Sequence, residues 1–214
     1  MDRQFLHEFL YRGRDLDFLD DKRVTMLGCG ALGSWTSVLL ARSGLKRFRL
    51  IDMDKVEIHN TSTQAFFLEN LGQYKVTALS RILYRINRAK SSIYQEEITK
   101  DNVSLAFQDC DLVICTFDNY FSRKIIRDKA VELGFPTVFG AMNGNLNYGE
   151  VVWAERYEPP ADPPRRAIDP CEYPLSTTLV LLTSSILAEV SLRYLINGEK
   201  ISPFGFTLTS LLYP

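Results

Sequence analysis

Residues 24–64 constrain this chain more than any other stretch. They read VTMLGCGALGSWTSVLLARSGLKRFRLIDMDKVEIHNTSTQ. A short apolar run at 24–27 leads at once into the glycine-rich turn 28–33, and an apolar segment of helical character follows. A second apolar run, 48–51, ends at Asp52. The order of strand, glycine turn, helix, strand and acid predicts the βαβ unit that binds nucleotides.

Each glycine of this turn has a separate physical role in such a unit. Gly28 permits the tight turn, Gly30 lets backbone N–H groups approach a phosphate, and Gly33 lets the helix pack close on the strand. The helix begins at Ala31 and Leu32, where its N-terminus presents partial positive charge to an anion. A close-packed turn with no ligand is the structural alternative.

Polar side chains after the second strand extend the predicted nucleotide site. Asp52 stands at the tip of that strand, where its carboxylate can accept hydrogen bonds from ribose hydroxyls, and Asp54 follows it. The polar run 59–64 includes Asn60 and Gln64, whose side chains can also bond a nucleotide. A plain turn of Asn, Ser and Thr would give the same pattern.

Two charged residues further along the chain fit the same site. Lys75 opens a predicted amphipathic helix that runs to about residue 87, although cations are disfavoured at helix starts. Asp118 follows the apolar strand 112–115, and ligands of open α/β sheets bind beyond the carboxyl ends of strands. A carboxylate beside a nucleotide is a natural Mg²⁺ ligand. The alternatives are a solvated lysine, and an aspartate that caps the predicted helix 120–133.

Length and composition predict one α/β domain over residues 21–214, preceded by an N-terminal helical segment at 1–20. The chain has 214 residues, of which 46% are hydrophobic, enough for a substantial core. The net charge of −1 gives no overall indication of a nucleic-acid or anionic membrane partner. The N-terminus lacks the pattern of a signal peptide, so we expect a cytoplasmic protein.

The four cysteines do not form a CxxC pair, so no zinc site is visible and a reducing compartment is expected. Cys29, Cys110 and Cys115 lie in or near apolar segments and are expected in the core. Cys171 lies in the proline-rich stretch 155–174, which predicts a long crossover loop. It is either a reactive nucleophile or an inert loop cysteine.

The remaining elements complete a mixed sheet. Residues 175–196 are strongly apolar but too interrupted by polar side chains for a membrane span, so we expect a buried helix at a subunit interface, ended by Asn197 and Gly198. The other predicted elements are a short helix at 64–71, strands at 92–98 and 137–141, an antiparallel strand at 150–154, and a last strand at 204–212.

With these motifs in place, the chain resembles the ThiF/MoeB/HesA family, the bacterial relatives of ubiquitin-activating enzymes. Residues 28–33 look like the glycine turn of that family, and 51–54 like its D-x-D. Residues 60–64 correspond to its N-x-x-R-Q, and 72–75 to its G-x-x-K. A D-N-x-x-x-R motif matches residues 118–123. Five motifs in order are far more specific than the glycine turn alone.

The resemblance implies a Rossmann-like mixed sheet with helices on both faces, and an ATP-dependent adenylyltransferase that acts on a ubiquitin-like or sulfur-carrier protein ending in glycine. It also implies a homodimer. By the same resemblance Lys75 contacts phosphates, Asp52 the ribose and Asp118 the Mg²⁺. Cys171 falls near the position where relatives carry a cysteine for thioester or persulfide chemistry.

Three departures bear on this expectation. Thr63 stands where the family has arginine, and a lost phosphate-binding cation costs on the order of several kcal/mol in the transition state. The CxxC zinc motifs are missing. The N-terminal R-Y-x-R-Q signature survives only loosely at 11–14, so that Arg14 or Arg12 is the candidate for the arginine that reaches the site of the partner subunit.

Two alternatives to the adenylyltransferase remain open at this point. A non-catalytic scaffold subunit would keep the fold while its ATP site has degraded, and Thr63 is its best support. An NAD-dependent oxidoreductase would use Asp52 but leave Lys75 and Asp118 unexplained. The carrier, the pathway and the acceptor of the activated carboxylate are not defined by the sequence.

Overall fold

A seven-stranded mixed sheet forms the centre of the computed structural model, which describes residues 3–13, 19–161 and 174–212. The strand order is β3-β2-β1-β4-β5-β6-β7. Strands β1 to β5 run parallel, whereas β6 pairs antiparallel with both β5 and β7. The strands are β1 Arg23–Leu27, β2 Arg47–Ile51, β3 Lys90–Tyr94, β4 Leu112–Cys115, β5 Thr137–Asn143, β6 Tyr148–Trp153 and β7 Phe204–Thr207.

Helices cover both faces of this sheet, as predicted. Buried side chains of α2, α4 and α6 share one apolar cluster with Val24 and Met26 of β1. On the other face Ile125 and Ile126 of α5 pack with Cys115 and Phe139 of the sheet. The helices are α1 Leu6–Arg12, α2 Ala31–Arg42, α3 Asn60–Thr63, α4 Lys75–Asn87, α5 Tyr120–Leu133, α6 Thr177–Asn197 and α7 Leu208–Leu212.

The sheet has the architecture that a parallel α/β core requires. Strands covered on both faces read as continuous apolar runs, and all four residues of β4 are at most 1% exposed. Strand order reverses between β1 and β4, which lie side by side although β2 and β3 separate them in sequence. Ligands bind at such a reversal, beyond the carboxyl ends of the strands. The predicted Rossmann-like fold class is therefore confirmed.

Three predicted elements need correction. The strand expected at 92–98 is β3 at Lys90–Tyr94, because its partner β2 ends at Ile51, opposite Tyr94. Residues 64–71, expected to form a short helix, contain only a single 3-10 turn at Leu68–Asn70, and the short helix α3 ends before them at Thr63. The last strand expected at 204–212 ends at Thr207, where Thr207 and Ser210 exchange side-chain and backbone hydrogen bonds and start α7.

The apolar segment near the C-terminus forms the core helix α6. It begins at Thr177, ends at Asn197 and is followed by Gly198 in the left-handed conformation, as predicted. By length and composition alone it could also cross a membrane, but 56% of its most apolar window is buried inside the fold. Ser184 donates to the carbonyl of Leu32 at 3.3 Å, so α6 packs on the start of α2.

The N-terminal segment forms a 3-10 turn at Arg3–Phe5 and then α1. Phe5 is buried against the main core, whereas Leu10 is 71% exposed. The predicted amphipathic helix is present, but its apolar side is only partly covered. Residues 14–18 lie outside the described part of the chain, and the predicted domain limit at residues 20 and 21 stays a prediction.

A buried asparagine joins the ends of two helices on one face. The Asn87 amide nitrogen donates to the carbonyls of Ala41 at 2.7 Å and Leu45 at 2.9 Å, and its oxygen accepts from the N–H of Ala89 at 3.0 Å. Asn87 therefore fixes the C-terminus of α4 against that of α2. The adjacent β3 begins where the Lys90 N–H donates to the Lys46 carbonyl at 2.8 Å.

Replacement of Asn87 by alanine is expected to destabilise the fold by about 2–3 kcal/mol, because three buried backbone groups lose a partner. Urea denaturation would measure the change. Asn197→Ala is the matched control, since its side-chain oxygen also accepts one backbone N–H but is exposed. Equal losses in both variants would contradict a special role for the buried junction.

Candidate nucleotide-binding site

The glycine turn after β1 has the backbone geometry that the sequence predicted. Gly28 has a φ of +84°, a left-handed conformation that favours glycine. Its N–H donates to the carbonyl of Ile51 at 3.0 Å, which holds the turn at the end of β2. The chain then enters α2 at Ala31, with Gly30 as its N-cap.

Gly33 allows the closest backbone approach in this site. A Cβ atom at Gly33 would lie 1.9 Å from the carbonyl oxygen of Gly28, a distance that no real contact permits. The hydroxyl of Thr116, which follows β4, lies 2.9 Å from the same oxygen. The Thr116 N–H also donates to the carbonyl of Leu27 at 2.8 Å. The turn is thus clamped between α2 and the end of β4.

Gly30, in contrast, faces open space. No described atom comes within 4 Å of a Cβ built on it, outside its own chain neighbours. The N–H groups of Ala31, Leu32 and Gly33 lie in the first turn of α2, where an α-helix leaves its amides without intrahelical partners. Open space beside unpaired amides and the positive end of a helix is suited to phosphate binding.

Asp52 connects the turn to the end of β2. Its carboxylate accepts hydrogen bonds from the N–H of Cys29 at 2.6 Å and from the N–H of Asp54 at 2.8 Å. The residue is only 7% exposed. Burial raises the pKa of Asp52, more than the attraction of Lys75 and the two N–H groups lower it. The predicted ribose ligand therefore lies beside the turn, as expected.

Lys75 is a buried cation among three carboxylates. It is 8% exposed, and its ammonium pairs with the Asp54 carboxylate at 2.8 Å. Burial acts to lower the pKa of Lys75, but attraction to Asp52 and Asp54, with a smaller contribution from Asp118, raises it overall. Its backbone N–H is bonded to the Asp54 carbonyl at 2.9 Å, so the start of α4 is fixed to the loop after β2.

Asp118 does not cap the following helix, α5. Asn119 caps α5, because its side-chain oxygen accepts the Ser122 N–H at 2.8 Å. Asp118 is exposed, and it directly follows Phe117, whose backbone nitrogen would lie 3.2 Å from a Cβ built on Gly28, so it lies near the glycine turn. The structural alternative for Asp118, capping α5, is therefore wrong. Arg123, from the same motif, donates to the carbonyl of Phe117 at 2.5 Å and fixes the loop that carries Asp118.

The loop at 60–64 lies against the start of α2. Asn60 is buried, and its side chain accepts the Glu57 N–H at 2.9 Å, so this residue shapes the loop. The Gln64 side-chain oxygen is buried without a hydrogen-bond partner among the described residues. Trp35 donates its ring N–H to the carbonyl of Thr63 at 3.1 Å. An unsatisfied buried amide oxygen marks Gln64 as a candidate ligand contact.

Comparison with known proteins agrees with this geometry. The sequence profile described as the ThiF family matches residues 1–209.

The chain belongs to the ThiF family.

Relatives of known name include adenylyltransferases and activating enzymes, and solved structures share the fold. A sulfur carrier protein adenylyltransferase of Thermus thermophilus is 28% identical over 190 residues, covering 83% of this chain and 70% of that protein. A ubiquitin-like modifier-activating enzyme 5 of Drosophila grimshawi is 25% identical over 234 residues, covering 94% of this chain and 57% of that protein. A crystal structure of E. coli MccB with AMPCPP and MccA has a TM-score of 0.80 at 18% identity, covering 95% of this chain and 68% of that one.

These lengths show how much of each relative is represented here. The chain spans somewhat more than two thirds of the Thermus protein, but 57% of the Drosophila protein and 39% of a sulfur carrier protein ThiS adenylyltransferase of Bacillus subtilis. The likeness to MccB concerns the fold.

Two predicted catalytic residues of this ThiF-family chain, Arg14 and Cys171, lie outside the described residues. The alternative arginine is described. Arg12 pairs with Glu189 of α6 at 2.6 Å and with Glu8 at 2.8 Å. Its guanidinium therefore holds α1 on α6, and the phosphate contact expected of Arg14 or Arg12 stays a prediction.

Burial disfavours the thiolate form of the three described cysteines. Cys29 and Cys115 are buried, and burial raises the pKa of Cys115 to about 12 and that of Cys29 well above its ordinary value. Cys110 is half-buried, with its thiol 3.5 Å from the carbonyl of Ala106. Since the thiolate is the nucleophilic form, these three have structural roles.

The described residues contain no cluster of three or more His, Cys, Asp or Glu side chains that could hold a metal ion. Mg²⁺ bound with a nucleotide does not require such a cluster, because it commonly takes one or two carboxylates and completes its shell with phosphates and water. Asp118 is the exposed carboxylate placed for this role, so the donor set is compatible with Mg²⁺ brought by a nucleotide.

Thr116 is the site residue that the sequence analysis missed. It contacts the Gly28 and Leu27 carbonyls from the neighbouring strand, 88 and 89 residues away. In the sequence, the feature that could have indicated this role was a hydroxyl residue directly after an apolar strand. The pattern did not reveal that β4 would lie beside β1, which determines this contact.

Gly33→Ala is expected to destabilise the protein by about 2–3 kcal/mol or to prevent folding, because the added methyl group collides with backbone. Gly30→Ala should cost less than about 1 kcal/mol, since the space there is open and the loss is that of an N-cap glycine. Thermal unfolding of both variants would test this. Similar losses at the two positions would contradict the described approach of α2 to the turn.

Glu189 is expected to stabilise α1 in a pH-dependent way. The hydrogen bond from Arg12 is the largest influence, and it lowers the pKa of Glu189 below its ordinary value. Its contribution is thus fully present above about pH 4.5 and is lost as the pH falls through the lowered pKa. Wild type should exceed Glu189→Gln by about 0.5–1 kcal/mol at pH 7.

Urea denaturation at pH 7 and pH 3 would measure this difference, which should vanish at pH 3. Glu132→Gln is the control, because Glu132 forms an exposed pair with Lys129 within α5. A wild-type advantage that is the same at both pH values would exclude the ion pair as its cause.

Proposed function

We propose that this protein adenylates the C-terminal carboxylate of a ubiquitin-like or sulfur-carrier protein with ATP. The observation that carries the proposal is the buried Lys75, held beside Asp52 and Asp54 at the edge of an open glycine turn. A buried lysine is costly unless it is paired. A buried ammonium group at this position is suited to binding an anionic substrate, which would explain why the fold retains it. The names of the relatives support the same activity.

The expected reaction joins two anions. A carboxylate oxygen of the carrier bonds to the α-phosphorus of ATP, while the bond from that phosphorus to the bridging oxygen breaks. Pyrophosphate leaves with the bonding electron pair, and an acyl-adenylate remains. Carboxylate and phosphate repel each other, so cations and N–H groups must offset their charge, and positioning must supply much of the rate.

The residues divide this work according to their places in the site. Asp52 accepts hydrogen bonds from the ribose, in place of or beside its present N–H donors. The amides of Ala31, Leu32 and Gly33 and the ammonium of Lys75 bind phosphate oxygens. Asp54 is the counterion that keeps Lys75 charged and in position before the nucleotide arrives. Gln64 offers its unsatisfied oxygen to a donor of the nucleotide.

Asp118 is the residue that would hold Mg²⁺ together with the phosphates. The ion supplies charge neutralisation of the leaving pyrophosphate when bound. The distribution of charge in the site agrees with this role, because Asp118 lies close enough to raise the pKa of Lys75 and yet is not used as a cap.

The remaining parts of the proposal concern assembly and the second step. We assign Cys171 as the acceptor or nucleophile after adenylation, and Arg14 as the arginine offered to the site of a second copy in a homodimer. We also propose a cytoplasmic location, because the four cysteines form no CxxC pair and suit a reducing compartment. The carrier is defined only by its chemistry, a flexible C-terminus that ends in glycine.

The alternatives have weaker support. A scaffold subunit with a degraded site rests on Thr63 alone, whereas the glycine turn, Lys75 and Asp118 are all in place, and the named relatives include adenylyltransferases. An NAD-dependent oxidoreductase gives no role to the Lys75 and Asp54 pair.

Calorimetric titration with ATP and Mg²⁺ is the first test. We expect micromolar binding of ATP, no comparable binding of NAD, and at least tenfold weaker ATP binding in Lys75→Met and Asp118→Asn. Asp128→Asn is the matched control, since Asp128 is an exposed acid on α5 that pairs with Lys124. Tight NAD binding, or equal weakening in the control, would refute the assignment.

An ATP–pyrophosphate exchange assay distinguishes an adenylating enzyme from a non-catalytic scaffold subunit. With a sulfur-carrier protein that ends in glycine as the probe, we expect ATP–pyrophosphate exchange that Lys75→Met abolishes. Thr63→Arg tests the missing family arginine. A gain of tenfold or more would identify Thr63 as the cause of a slow enzyme, and no exchange in either form would favour the scaffold subunit.

A further inference from the structure

One corner of the fold carries a concentration of positive charge that the net charge of −1 hides. Residues 42–51 and 71–95 contain nine of the 25 Lys and Arg residues and no Asp or Glu. The first segment is the end of α2 with β2, and the second is α4 with β3. Both lie at the β3 edge of the sheet.

The fold brings the two segments together. Asn87 bonds the end of α4 to the end of α2, and the Lys90 N–H donates to the Lys46 carbonyl at 2.8 Å. The resulting surface, which we name the basic corner, excludes Lys75 of the nucleotide site and the buried Arg49. Its members are Arg42, Lys46, Arg47, Arg81, Arg85, Arg88 and Lys90, of which all but the half-buried Lys46 are exposed.

Several of these charges are placed where they repel one another. Arg23, Arg47 and Lys90 are direct neighbours across β1, β2 and β3, and aligned like charges on adjacent strands destabilise a sheet. Among the described residues, three carboxylates from other segments pair with the corner: Asp20 with Lys46 at 2.8 Å, Asp21 with Arg47 at 3.1 Å, and Glu69 with Arg85 at 3.7 Å. All three carboxylates are exposed, and such exposed pairs compensate little.

Helix stability explains only part of the pattern. Arg42, Arg85 and Arg88 lie at or beyond the last turns of α2 and α4, where cations are favoured by the helix dipole. Arg81 lies one turn earlier, on the same exposed face as Arg85, and Lys90 lies on a strand. Arg81, Arg85 and Arg88 thus form a row along α4, whereas Arg47 and Lys90 share the strand face of Arg49 and Tyr94, opposite the face that α4 covers. A row of arginines along a helix is suited to a chain of phosphates.

An exposed aromatic side chain stands within the row. Tyr84 is 51% exposed, and the Arg88 guanidinium carbon lies 5.0 Å from the centre of its ring. Aromatic rings interleaved with cations are the combination that binds unpaired nucleotides, because every base can stack on a ring while the backbone is neutralised. In a duplex the base faces are already stacked and cannot use Tyr84.

We propose that the basic corner binds single-stranded nucleic acid, with Arg81, Arg85 and Arg88 on phosphates and Tyr84 stacked on a base. This site is distinct from the nucleotide site at the carboxyl ends of β1 and β4. It reverses the expectation of no nucleic-acid partner, which rested on the net charge of the whole chain. An acidic protein surface is the competing occupant that the experiment must exclude.

Fluorescence anisotropy of the full chain with a labelled 12-nucleotide oligouridine RNA tests the proposal between 50 and 200 mM salt. Affinity should fall linearly on a log–log plot with salt. The double variant Arg81→Gln, Arg85→Gln should bind at least tenfold more weakly at 50 mM salt. Its salt slope should be smaller by about 1.4, because each neutralised phosphate of a single strand contributes about 0.7 to the slope.

The matched control is Lys124→Gln, Lys129→Gln on α5, which removes the same charge from the other face of the sheet and should leave binding unchanged. Tyr84→Ala should weaken binding roughly fivefold or more, whereas Tyr84→Phe should retain it. Oligothymidine DNA of the same length should bind comparably, because phosphates and base stacking are common to both. Thermal unfolding would verify that each variant is folded.

Three results would overturn the proposal. One is the absence of RNA binding at 50 mM salt. Another is an equal loss of affinity in the α5 control. The third is displacement of the RNA by polyglutamate at the same concentration of charge, which would identify the corner as a docking surface for an acidic protein.

Discussion

The approach of helix α2 to the turn after β1 is the constraint on which the site depends. The approach is possible because residue 33 is glycine. A Cβ atom at this position would lie only 1.9 Å from the carbonyl oxygen of Gly28. From this approach the start of α2 points its amides over the carboxyl edge of the sheet. The same turn presents the Cys29 N–H to Asp52 and so fixes the predicted ribose ligand. The proposed phosphate and ribose contacts thus both depend on this one close approach of two backbone segments.

Charge in this site is arranged as a compensated group. Asp52 and Lys75 are both nearly buried, and burial alone would disfavour the charged form of each. For Asp52 two N–H donors reduce this cost without cancelling it, whereas for Lys75 the attraction of Asp52 and Asp54 outweighs it. The site is therefore organised by the protein's own groups, and the exposed Asp118 lies at its rim, beside solvent and incoming phosphates.

The sequence predicted the bounds of strands and helices well where the pattern of apolar residues within one segment determines them. The bounds predicted for β4 and α5 were those observed, because an apolar run and an amphipathic period define them. Side-chain partners were harder to predict. Asn119 rather than Asp118 caps α5, Arg12 pairs with Glu189, and Thr116 reaches Gly28. The last two contacts join residues distant in sequence, and net charge likewise concealed where the cations gather in space.

The order of the strands has a consequence for how the protein is made. Everything that β3, β2 and β1 need for pairing lies within residues 23–94, so this half of the sheet can assemble while the remainder is still being synthesised. Thr116 arrives on the fourth strand, and only then is the Gly28 carbonyl clamped from both sides. An emerging chain can therefore pair these three strands before it completes the nucleotide cradle, because the residue that clamps the turn lies in the segment that is synthesised later.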